Sequence, residues 1–528
     1  MAASDDHLLA IDLGTSGVKV ALVSARGEIA DGVIEPTTTT TLPDGGVEQS
    51  PDHWWLAIAA GAQRLVDRGA VPRERIVGVN IDTHWSGTVP VDRELRPLMN
   101  AIIWMDARGA AQARRITGGW PRVEGYGARR LLTWIRLTGG APTHSGKDPI
   151  SHVLWMQEQV PEVAREAHLF LEPRDYLNAR LSGRAVSSPD AMTLHWLTDN
   201  RRLDRVDYHP TLLRWAGVPR EQLPDLVPPA SVLGPLLEGP AEDLGVRPGI
   251  PVVNGMPDVL AGALAAGTIR DFDTHLCVGS SSWLICHVPK KKTDLRHNMA
   301  SLPSSVPGRY LLVNEQESAG ICLAWLRDVL FPGGAQGSED GDRFRAFATM
   351  DAMAEDAPPG ADGVLFLPWL NGERSPVDDS LARGGFVNAS LGTTREHLVR
   401  AVLEGVAFNA RWLLGSVERF TGRRVEHITM IGGGARSDVW SRICADVLGR
   451  PVRQVADPVF ATARGTALHG FAALGRIAWE EIPDLVPIAE VFEPEPATRG
   501  TYDPMFDEFT RMYRSNRKAF ARMNRGSA

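Results

Sequence analysis

The stretch that decides the fold is LLAIDLGTSGVKVALV, residues 8–23. Two apolar runs, 8–11 and 18–23, flank the turn GTSG at 14–17, and this pattern predicts a β-hairpin. A Walker A loop instead leads from a strand into a helix and ends in Gly-Lys-Ser or Gly-Lys-Thr. Because residues 18–22 continue as a strand, the turn is a phosphate-sized hairpin turn of another kind.

Residues 275–288 repeat this arrangement, with an apolar strand, the turn GSSS at 279–282 and a second apolar strand. The offset is about half of the 528 residues, and a chain this long exceeds the roughly 250 to 300 residues of a single hydrophobic core. We therefore expect two related domains that each begin with a hairpin. A repeat as faint as this one also arises by coincidence, and that alternative stays open.

The composition argues against several classes of protein. With 43% hydrophobic and 23% charged residues the chain has the balance of a globular protein, and its net charge of -8 weighs against a nucleic-acid partner. The first seven residues are polar and acidic, and no apolar run reaches the roughly 18 residues that span a bilayer. The four cysteines lack CxxC spacing, so neither a zinc site nor a disulfide framework is indicated. We expect a cytoplasmic protein that binds small molecules, not nucleic acid or membrane.

Strand and helix patterns alternate along the chain, which indicates α/β domains. Residues 76–81 read as a buried strand, 395–420 as a long amphipathic helix, and 428–431 as a strand that runs into three glycines. A Pro- and Gly-rich segment at 228–251 is typical of a linker, and 331–342 of a flexible acidic loop.

The first turn and its flanks carry the first candidates for chemistry. A Gly-rich turn lets backbone N–H groups approach a phosphate without a Cβ in the way, although a tight turn with nothing bound has the same sequence. Asp12 ends the preceding strand, where its carboxylate could hold Mg²⁺ through waters or simply stabilise the turn.

Two further candidates lie near helix starts. The glycines at 432–434 precede a predicted helix at 439–448, and backbone without side chains leaves room for a flat nucleotide ring. Asp258 precedes a small-residue helix at 259–267, where it is either an N-cap or a general base that takes a proton from a hydroxyl. The local sequence favours the cap.

Four motifs together resemble the FGGY carbohydrate kinases in order and spacing over nearly the whole chain. They are DLGTSGVK at 12–19, LPWLNGERSP at 367–376, HLVRAVLEG at 397–405 and GGGARS at 432–437. The resemblance implies an α/β fold of two actin-like (ribonuclease H-like) domains with mixed central sheets, at residues 1–264 and 265–528. It further implies that an interdomain cleft closes on ATP, Mg²⁺ and a small sugar or polyol.

The resemblance also implies roles for individual residues. Asp258 matches the family's catalytic base, which reverses the local preference for a cap, and Asp12 would assist Mg²⁺. The phosphates would be held by Thr15, Ser16, Gly279, Ser280 and Ser281, and the nucleoside by Gly320, Gly433, Gly434 and Asp438. The acceptor would be bound by His84, Trp104, Asp106 and Arg108, although His84 and Trp104 can also be core residues, an interpretation that is equally good for His84.

The match fails at positions that bear on the acceptor. Val259 follows the base where the family often has Asn or Gln, and Trp283 adds bulk beside the second turn. His152 stands where the first family signature has lysine, and residues 83–87 keep only part of a xylulokinase Gln-Met-His-Gly element.

A ketopentose such as xylulose is the leading acceptor, and other ketoses, glycerol, tetritols and sugar acids are alternatives. The rival functions are an actin-like ATPase and a non-catalytic sugar sensor. The sequence does not define the oligomeric state, and a homodimer is one assembly that it allows.

Overall fold

The computed structural model describes residues 5–330 and 340–524, with side chains described except at 340–344. The strands are β1 (His7–Leu13), β2 (Gly17–Ser24), β3 (Ile29–Pro36), β4 (Thr40–Thr41), β5 (Val47–Gln49), β6 (Ile76–Thr83), β7 (Val89–Val91), β8 (Ala101–Ile102), β9 (Arg122–Val123), β10 (Tyr126–Gly127), β11 (Leu169–Leu171), β12 (Val186–Ser187), β13 (Asp225–Leu226), β14 (Val232–Pro235), β15 (Pro251–Val253), β16 (Met256–Pro257), β17 (Thr274–Val278), β18 (Ser282–Val288), β19 (Thr293–Asp294), β20 (Met299–Pro303), β21 (Tyr310–Val313), β22 (Leu365–Leu367), β23 (Gly385–Val387), β24 (Ile428–Ile431), β25 (Val452–Val455) and β26 (Ile488–Phe492).

The α-helices are α1 (Pro51–Arg68), α2 (Ala110–Thr117), α3 (Ala128–Thr138), α4 (Pro149–Gln159), α5 (Pro161–Glu166), α6 (Pro173–Ser182), α7 (Pro189–Met192), α8 (Pro210–Ala216), α9 (Glu238–Leu244), α10 (Asp258–Ala265), α11 (Gly320–Leu330), α12 (Asp340–Asp356), α13 (Arg395–Thr421), α14 (Asp438–Leu448), α15 (Ala461–Ala473), α16 (Ile482–Leu485) and α17 (Arg499–Met523). Both predicted hairpins are present, as β1–β2 and β17–β18. No helix among the described residues is both long and apolar enough to cross a lipid bilayer.

The two large sheets have the same strand succession. In the first, strands follow the order β3-β2-β1-β6-β15-β14, with β1 antiparallel to β2 and parallel to β6. In the second, the order β21-β18-β17-β24-β25-β26 repeats this pattern, with β17 antiparallel to β18 and parallel to β24. Both sheets are therefore mixed, and the α/β prediction and the internal repeat are confirmed.

One helix from the second half of the chain packs on the first sheet. On α15, Ala463, Ala467 and Phe471 form a buried cluster with Leu8 and Ala21 of β1 and β2. A Cβ on Gly465 would lie 2.2 Å from the carbonyl oxygen of Ala261, so the glycine lets α15 approach α10 closely. The predicted domain boundary after residue 264 falls at the end of α10 and stays a prediction.

The linker interpretation of residues 228–251 is wrong. The segment holds β14 and α9, and Leu233, Leu236 and Leu244 are buried in the core of the first sheet. Its prolines and glycines lie both inside these short elements, as Gly234 and Pro235 in β14 and Gly239 and Pro240 in α9, and in the turns around them. Of the predicted flexible loop at 331–342, residues 331–339 lie outside the described residues, and α12 begins at Asp340.

Candidate active site

The first hairpin pairs a carboxylate with an ammonium group. Asp12 and Lys19 are register partners on β1 and β2, and Lys19 Nζ donates to Asp12 Oδ2 at 2.7 Å. Thr462 of α15 donates its hydroxyl to the same oxygen. Burial alone would lower the pKa of Lys19, but the Asp12, Asp82 and Asp258 carboxylates together outweigh it, so the pKa lies above its usual value. Lys19 is therefore charged in the fold.

Two more carboxylates join this pair. Asp82 of β6 is the parallel register partner of Asp12, is fully buried, and accepts a hydrogen bond from Thr466 of α15 at 2.5 Å. Burial, and then the neighbouring Asp12, raise the pKa of Asp82 well above its usual value. Asp258 begins α10, and burial and the Asp12 charge raise its pKa to about 7. A carboxylate with this pKa is suited to accept a proton near neutral pH.

Asp258 is the first helical residue, and Pro257 occupies the N-cap position. The carboxylate still satisfies one helix-terminal donor, because Val259 N donates to Asp258 Oδ1 at 2.8 Å. The capping and base interpretations are therefore compatible in geometry.

The turn before Asp258 is held by buried contacts. A Cβ on Gly255 would lie 1.6 Å from the carbonyl oxygen of Ile81, so only glycine fits against β6. Arg174 Nη1 donates to the Gly255 carbonyl at 2.9 Å, and the same guanidinium is paired with Asp175. Arg174 thus positions the segment that carries Asp258.

Side chains from β5 and from the loops after β3 and β8 hold the first phosphate-sized turn in place. The carbonyl of Thr15 accepts from Gln49 Nε2 at 2.7 Å and from the Thr37 hydroxyl at 2.9 Å. The Thr15 hydroxyl accepts from Trp104 Nε1 at 2.9 Å. Ser16 is exposed at the tip of the turn.

The second turn is anchored by the start of α11. Gly320 N donates to the carbonyl of Gly279 at 2.8 Å, and Ala319 N donates to that of Ser280 at 2.9 Å. A Cβ on Gly320 would lie 2.5 Å from the Gly279 oxygen. Gly320, expected at the nucleoside pocket, therefore lies directly against the second turn. Ser281 closes the turn by accepting from Gly279 N at 2.9 Å.

The three glycines after β24 are not equivalent. A Cβ on Gly432 or Gly434 would lie within 2.7 Å of Val278, the last residue of β17, whereas a Cβ on Gly433 would meet nothing within 4 Å. Close approach to β17 thus explains Gly432 and Gly434, and only exposed Gly433 faces open space. Asp438 begins α14, where its carboxylate accepts from Gln454 Nε2 at 2.9 Å.

Asp106 and Arg108 form one buried ionic group. Arg108 Nη2 lies 2.7 Å from both Asp106 Oδ2 and Glu48 Oε1, and its guanidinium lies 4.0 Å from the Trp155 ring centroid. Asp106 also accepts from Val47 N at 2.8 Å. Each residue therefore orients the other.

His84 and Trp104 differ in how their polar atoms are used. His84 is buried with its ring edge toward Trp54, and burial lowers its pKa to about 4, so the ring is neutral at neutral pH. Neither ring nitrogen of His84 has a hydrogen-bond partner among the described residues. Trp104 donates to Thr15 and so links the predicted acceptor region to the first turn.

The predicted residues form two groups. Asp12, Thr15, Ser16, Trp104 and Asp258 belong to the first sheet, its loops and the start of α10. The second group belongs to the second sheet and its flanking turns, and it consists of Gly279, Ser280, Ser281, Gly320, Gly433, Gly434 and Asp438. The register of β17 beside β24 brings the second turn and Gly434 together.

Lys19, Thr462 and Thr466 are functional candidates that the sequence reasoning missed. Hairpin register would have revealed Lys19, since residues 12 and 19 are equidistant from the centre of the turn at 14–17. The two threonines are four residues apart on one helix face, but nothing local connects them with β1 or β6.

Asp12 has the chemistry that a Mg²⁺ site requires. Among residues 5–330 and 340–524, no group of three or more His, Cys, Asp or Glu side chains is arranged to hold a metal ion. Mg²⁺ is usually bound through one or two carboxylates together with substrate phosphates and waters. A single carboxylate such as Asp12, beside a phosphate-sized turn, fits that requirement.

Comparisons with known proteins cover nearly the whole chain. Residues 7–265 match the FGGY family of carbohydrate kinases, N-terminal domain, and residues 275–474 match its C-terminal domain. Xylulose kinase of Escherichia coli (strain K12) is 28% identical over 511 residues, covering 96% of this chain and 98% of the relative. Gluconokinase of Bacillus subtilis (strain 168) is 24% identical over 485 residues, covering 91% and 90%. The crystal structure of xylulose kinase from Rhodospirillum rubrum matches with a TM-score of 0.80 at 27% identity, covering 97% and 99%.

Proposed function

Because the chain belongs to the FGGY family of carbohydrate kinases, we propose that it transfers the γ-phosphate of ATP to a hydroxyl of a ketopentose such as xylulose. Asp258 is the base in this proposal. The observation that carries it is the pKa of about 7 that burial and Asp12 give to Asp258. At neutral pH a useful fraction of this carboxylate is ionised, and it is basic enough to take a proton from the attacking hydroxyl.

The remaining polar groups would position ATP. Phosphoryl transfer depends mainly on alignment and on neutralising phosphate charge. Thr15 and Ser16 of the first turn, with Gly279, Ser280 and Ser281 of the second, would hold the phosphates through backbone and hydroxyl donors.

Mg²⁺, when bound, would neutralise phosphate charge, and Asp12 would hold it. Lys19 keeps Asp12 oriented by its 2.7 Å hydrogen bond. Gly433 and Asp438, at the end of β24 and the start of α14, would line the nucleoside pocket.

Charge pairing favours a neutral acceptor over a sugar acid. A carboxylate ligand is best recognised by a cation with unsatisfied donors. Here Lys19 is paired with Asp12, Arg108 with Asp106 and Glu48, and Arg374 lies 2.5 Å from both Glu315 and Glu317. Glu315 is near enough to Asp258 to contribute to raising its pKa. A ketose or polyol suits these neutralised cations better than a substrate such as gluconate.

The buried residues that are predicted to bind the acceptor also favour a neutral sugar or polyol. Neutral His84 has two ring nitrogens for sugar hydroxyls, and Asp106 and Arg108 hold each other in a defined orientation. The sugar-sensor alternative does not need a base, whereas Asp258 has the pKa of one. The actin-like ATPase alternative is separated from the kinase by whether phosphate is found on the sugar. The cytoplasmic location, the homodimer and the absence of a nucleic-acid partner stay predictions.

The experiment offers ATP, Mg²⁺ and a panel of pentuloses, hexuloses, polyols and sugar acids, and follows ADP and sugar-linked phosphate together. Asp258→Asn should lower sugar phosphorylation by orders of magnitude while ATP still binds. Asp52→Asn, at an exposed aspartate in the first turn of α1, is the matched control and should keep wild-type rates. ADP with free phosphate alone, or an active Asp258→Asn variant, would contradict the proposal.

A further inference from the structure

The accessible surface of α10 consists of two side chains with opposite chemistry. Of its eight residues, the six from Leu260 to Ala265 are buried, and only Asp258 and Val259 reach solvent. Val259 N donates to the Asp258 carboxylate, so the backbone that carries the isopropyl group is tied to the base. Because consecutive Cα atoms lie about 3.8 Å apart, a sugar-sized acceptor that reaches Asp258 also comes close to Val259.

Trp283 is a second partly exposed apolar side chain near α10. A Cβ on Gly262 would lie 3.8 Å from Trp283 Cζ2, and Gly262 is one helical turn beyond Asp258 on the same face of α10. Trp283 is half-buried, and its only polar atom, Nε1, donates to His275 Nε2 at 3.3 Å. The indole thus presents carbon surface and has no donor left for a ligand.

Val259 and Trp283 also pack against one shared core cluster, whose buried members include Met256, Leu260 and Ile431. Each of the two side chains also keeps accessible surface, so a ligand at Asp258 can contact them. We call Val259 and Trp283 together the apolar wall.

We propose that the apolar wall flanks the attacking hydroxyl, and that the preferred acceptor is a deoxy-ketose or deoxy-polyol with a methylene or methyl group against the wall. This inference rests on the proposed function, because it uses Asp258 as the base. A hydroxyl placed against the wall loses its water and gains no partner, whereas a CH₂ or CH₃ group gains apolar contact. The wall therefore selects against one hydroxyl of a fully hydroxylated sugar.

The first test measures kcat/KM for ketopentoses and tetritols and for each of their mono-deoxy counterparts. For the wild type we expect at least one deoxy acceptor to exceed its hydroxylated parent by about 10-fold or more, the range in which one group in an apolar pocket discriminates. If every hydroxylated parent is preferred to all of its deoxy counterparts, the inference is wrong while the kinase proposal stands. If no acceptor is phosphorylated, the proposed function itself fails, and the inference with it.

Substitutions at Val259 separate polarity from shape. Val259→Thr keeps the branched shape and adds a hydroxyl, so the deoxy preference should fall at least about threefold while the KM for ATP stays unchanged. Val259→Ala keeps the surface apolar and should retain the preference, which also covers the case that the threonine variant folds poorly. Val77→Thr, at a half-buried valine near the opposite end of β6 from Asp82, is the matched control. An unchanged ratio in a folded Val259→Thr variant would overturn the inference.

Discussion

Lys19 Nζ lies 2.7 Å from Asp12 Oδ2 across the first hairpin, with Asp12 almost fully buried. The ammonium group offsets one of three carboxylates that converge here, the others being Asp82 and Asp258. Charge from Asp12 raises the pKa of Asp258 and charge from Lys19 lowers it, so this pair adjusts how basic Asp258 is. In the proposed reaction the first hairpin would therefore affect the acceptor's proton as well as the phosphates.

Lys19→Gln should lower kcat at least about 10-fold and shift the pH profile. Without the Lys19 charge, the pKa of Asp258 should rise further above about 7, so the acidic limb of kcat/KM should move to higher pH. The measurement is kcat/KM against pH for both proteins. Lys518→Gln, on the exposed side of α17, is the control, and a Lys19→Gln profile that overlays the wild type would disprove the role of Lys19.

Activity should rise with pH through about 7, because Asp258 accepts a proton only when ionised and burial raises its pKa to that value. Below this pH, kcat/KM should fall about 10-fold for each pH unit, as for a single essential base. A pH-independent rate between 5 and 8, with the stability of the fold verified at each pH, would rule out Asp258 as the base at about that pKa.

The raised pKa of Asp258 also predicts how the stability of the fold depends on pH. The folded pKa of Asp258 lies above its ordinary 3.8, so ionising the group costs stability as the pH rises from 3.8 towards 7. Asp258→Asn avoids that cost and should have a higher Tm than the wild type above pH 7, with the difference shrinking near 3.8. Thermal unfolding at several pH values measures this, and a difference that grows towards acid pH would have the wrong sign.

Alanine at Gly433 and at Gly434 should have different consequences. The new Cβ of Gly433→Ala would meet nothing within 4 Å, so this variant should keep the wild-type Tm. It should raise the KM for ATP, because the added methyl group would occupy the proposed nucleoside pocket. Gly434→Ala places a Cβ 2.6 Å from Val278 Cγ1 and should destabilise the fold by about 1–3 kcal/mol. Thermal unfolding with ATP kinetics on both variants tests the assignment, and equal effects of the two would contradict it.

Arg108→Lys should raise the KM for the acceptor roughly 10-fold and leave the KM for ATP unchanged. Lysine cannot reproduce the planar fork that reaches Asp106 and Glu48 together while stacking on Trp155. The control is Arg220→Lys, at a half-buried arginine that stacks on Tyr208 and pairs with Asp225. If the KM values for ATP and acceptor rise equally, Arg108 has a general structural role instead.

Much of the fold was predictable because its signals are local. Apolar runs on both sides of short Gly- and Ser-containing turns indicated both hairpins, and the helix predicted at 395–420 is observed as Arg395–Thr421. Segment 228–251 was misread because proline and glycine mark turns between short packed elements as well as linkers.

The candidate site was predictable only in part. Asp12, Thr15 and the triple glycine were found from turn chemistry, and Asp258 from its resemblance to a family motif. Local sequence could not distinguish the roles of the three glycines. Gly432 and Gly434 must be glycine because Val278, on another strand, lies too close for a side chain.

The sequence by itself determined the two hairpins, the alternation of strands and helices and the family motifs, since each depends on residues within a few positions of one another. Only the tertiary structure decided that Thr462 meets Asp12 across 450 positions of sequence and that Thr466 meets Asp82. The tertiary structure also decided the pKa of Asp258 and the partial exposure of Val259 and Trp283, because burial and charge proximity depend on the packing of the whole fold.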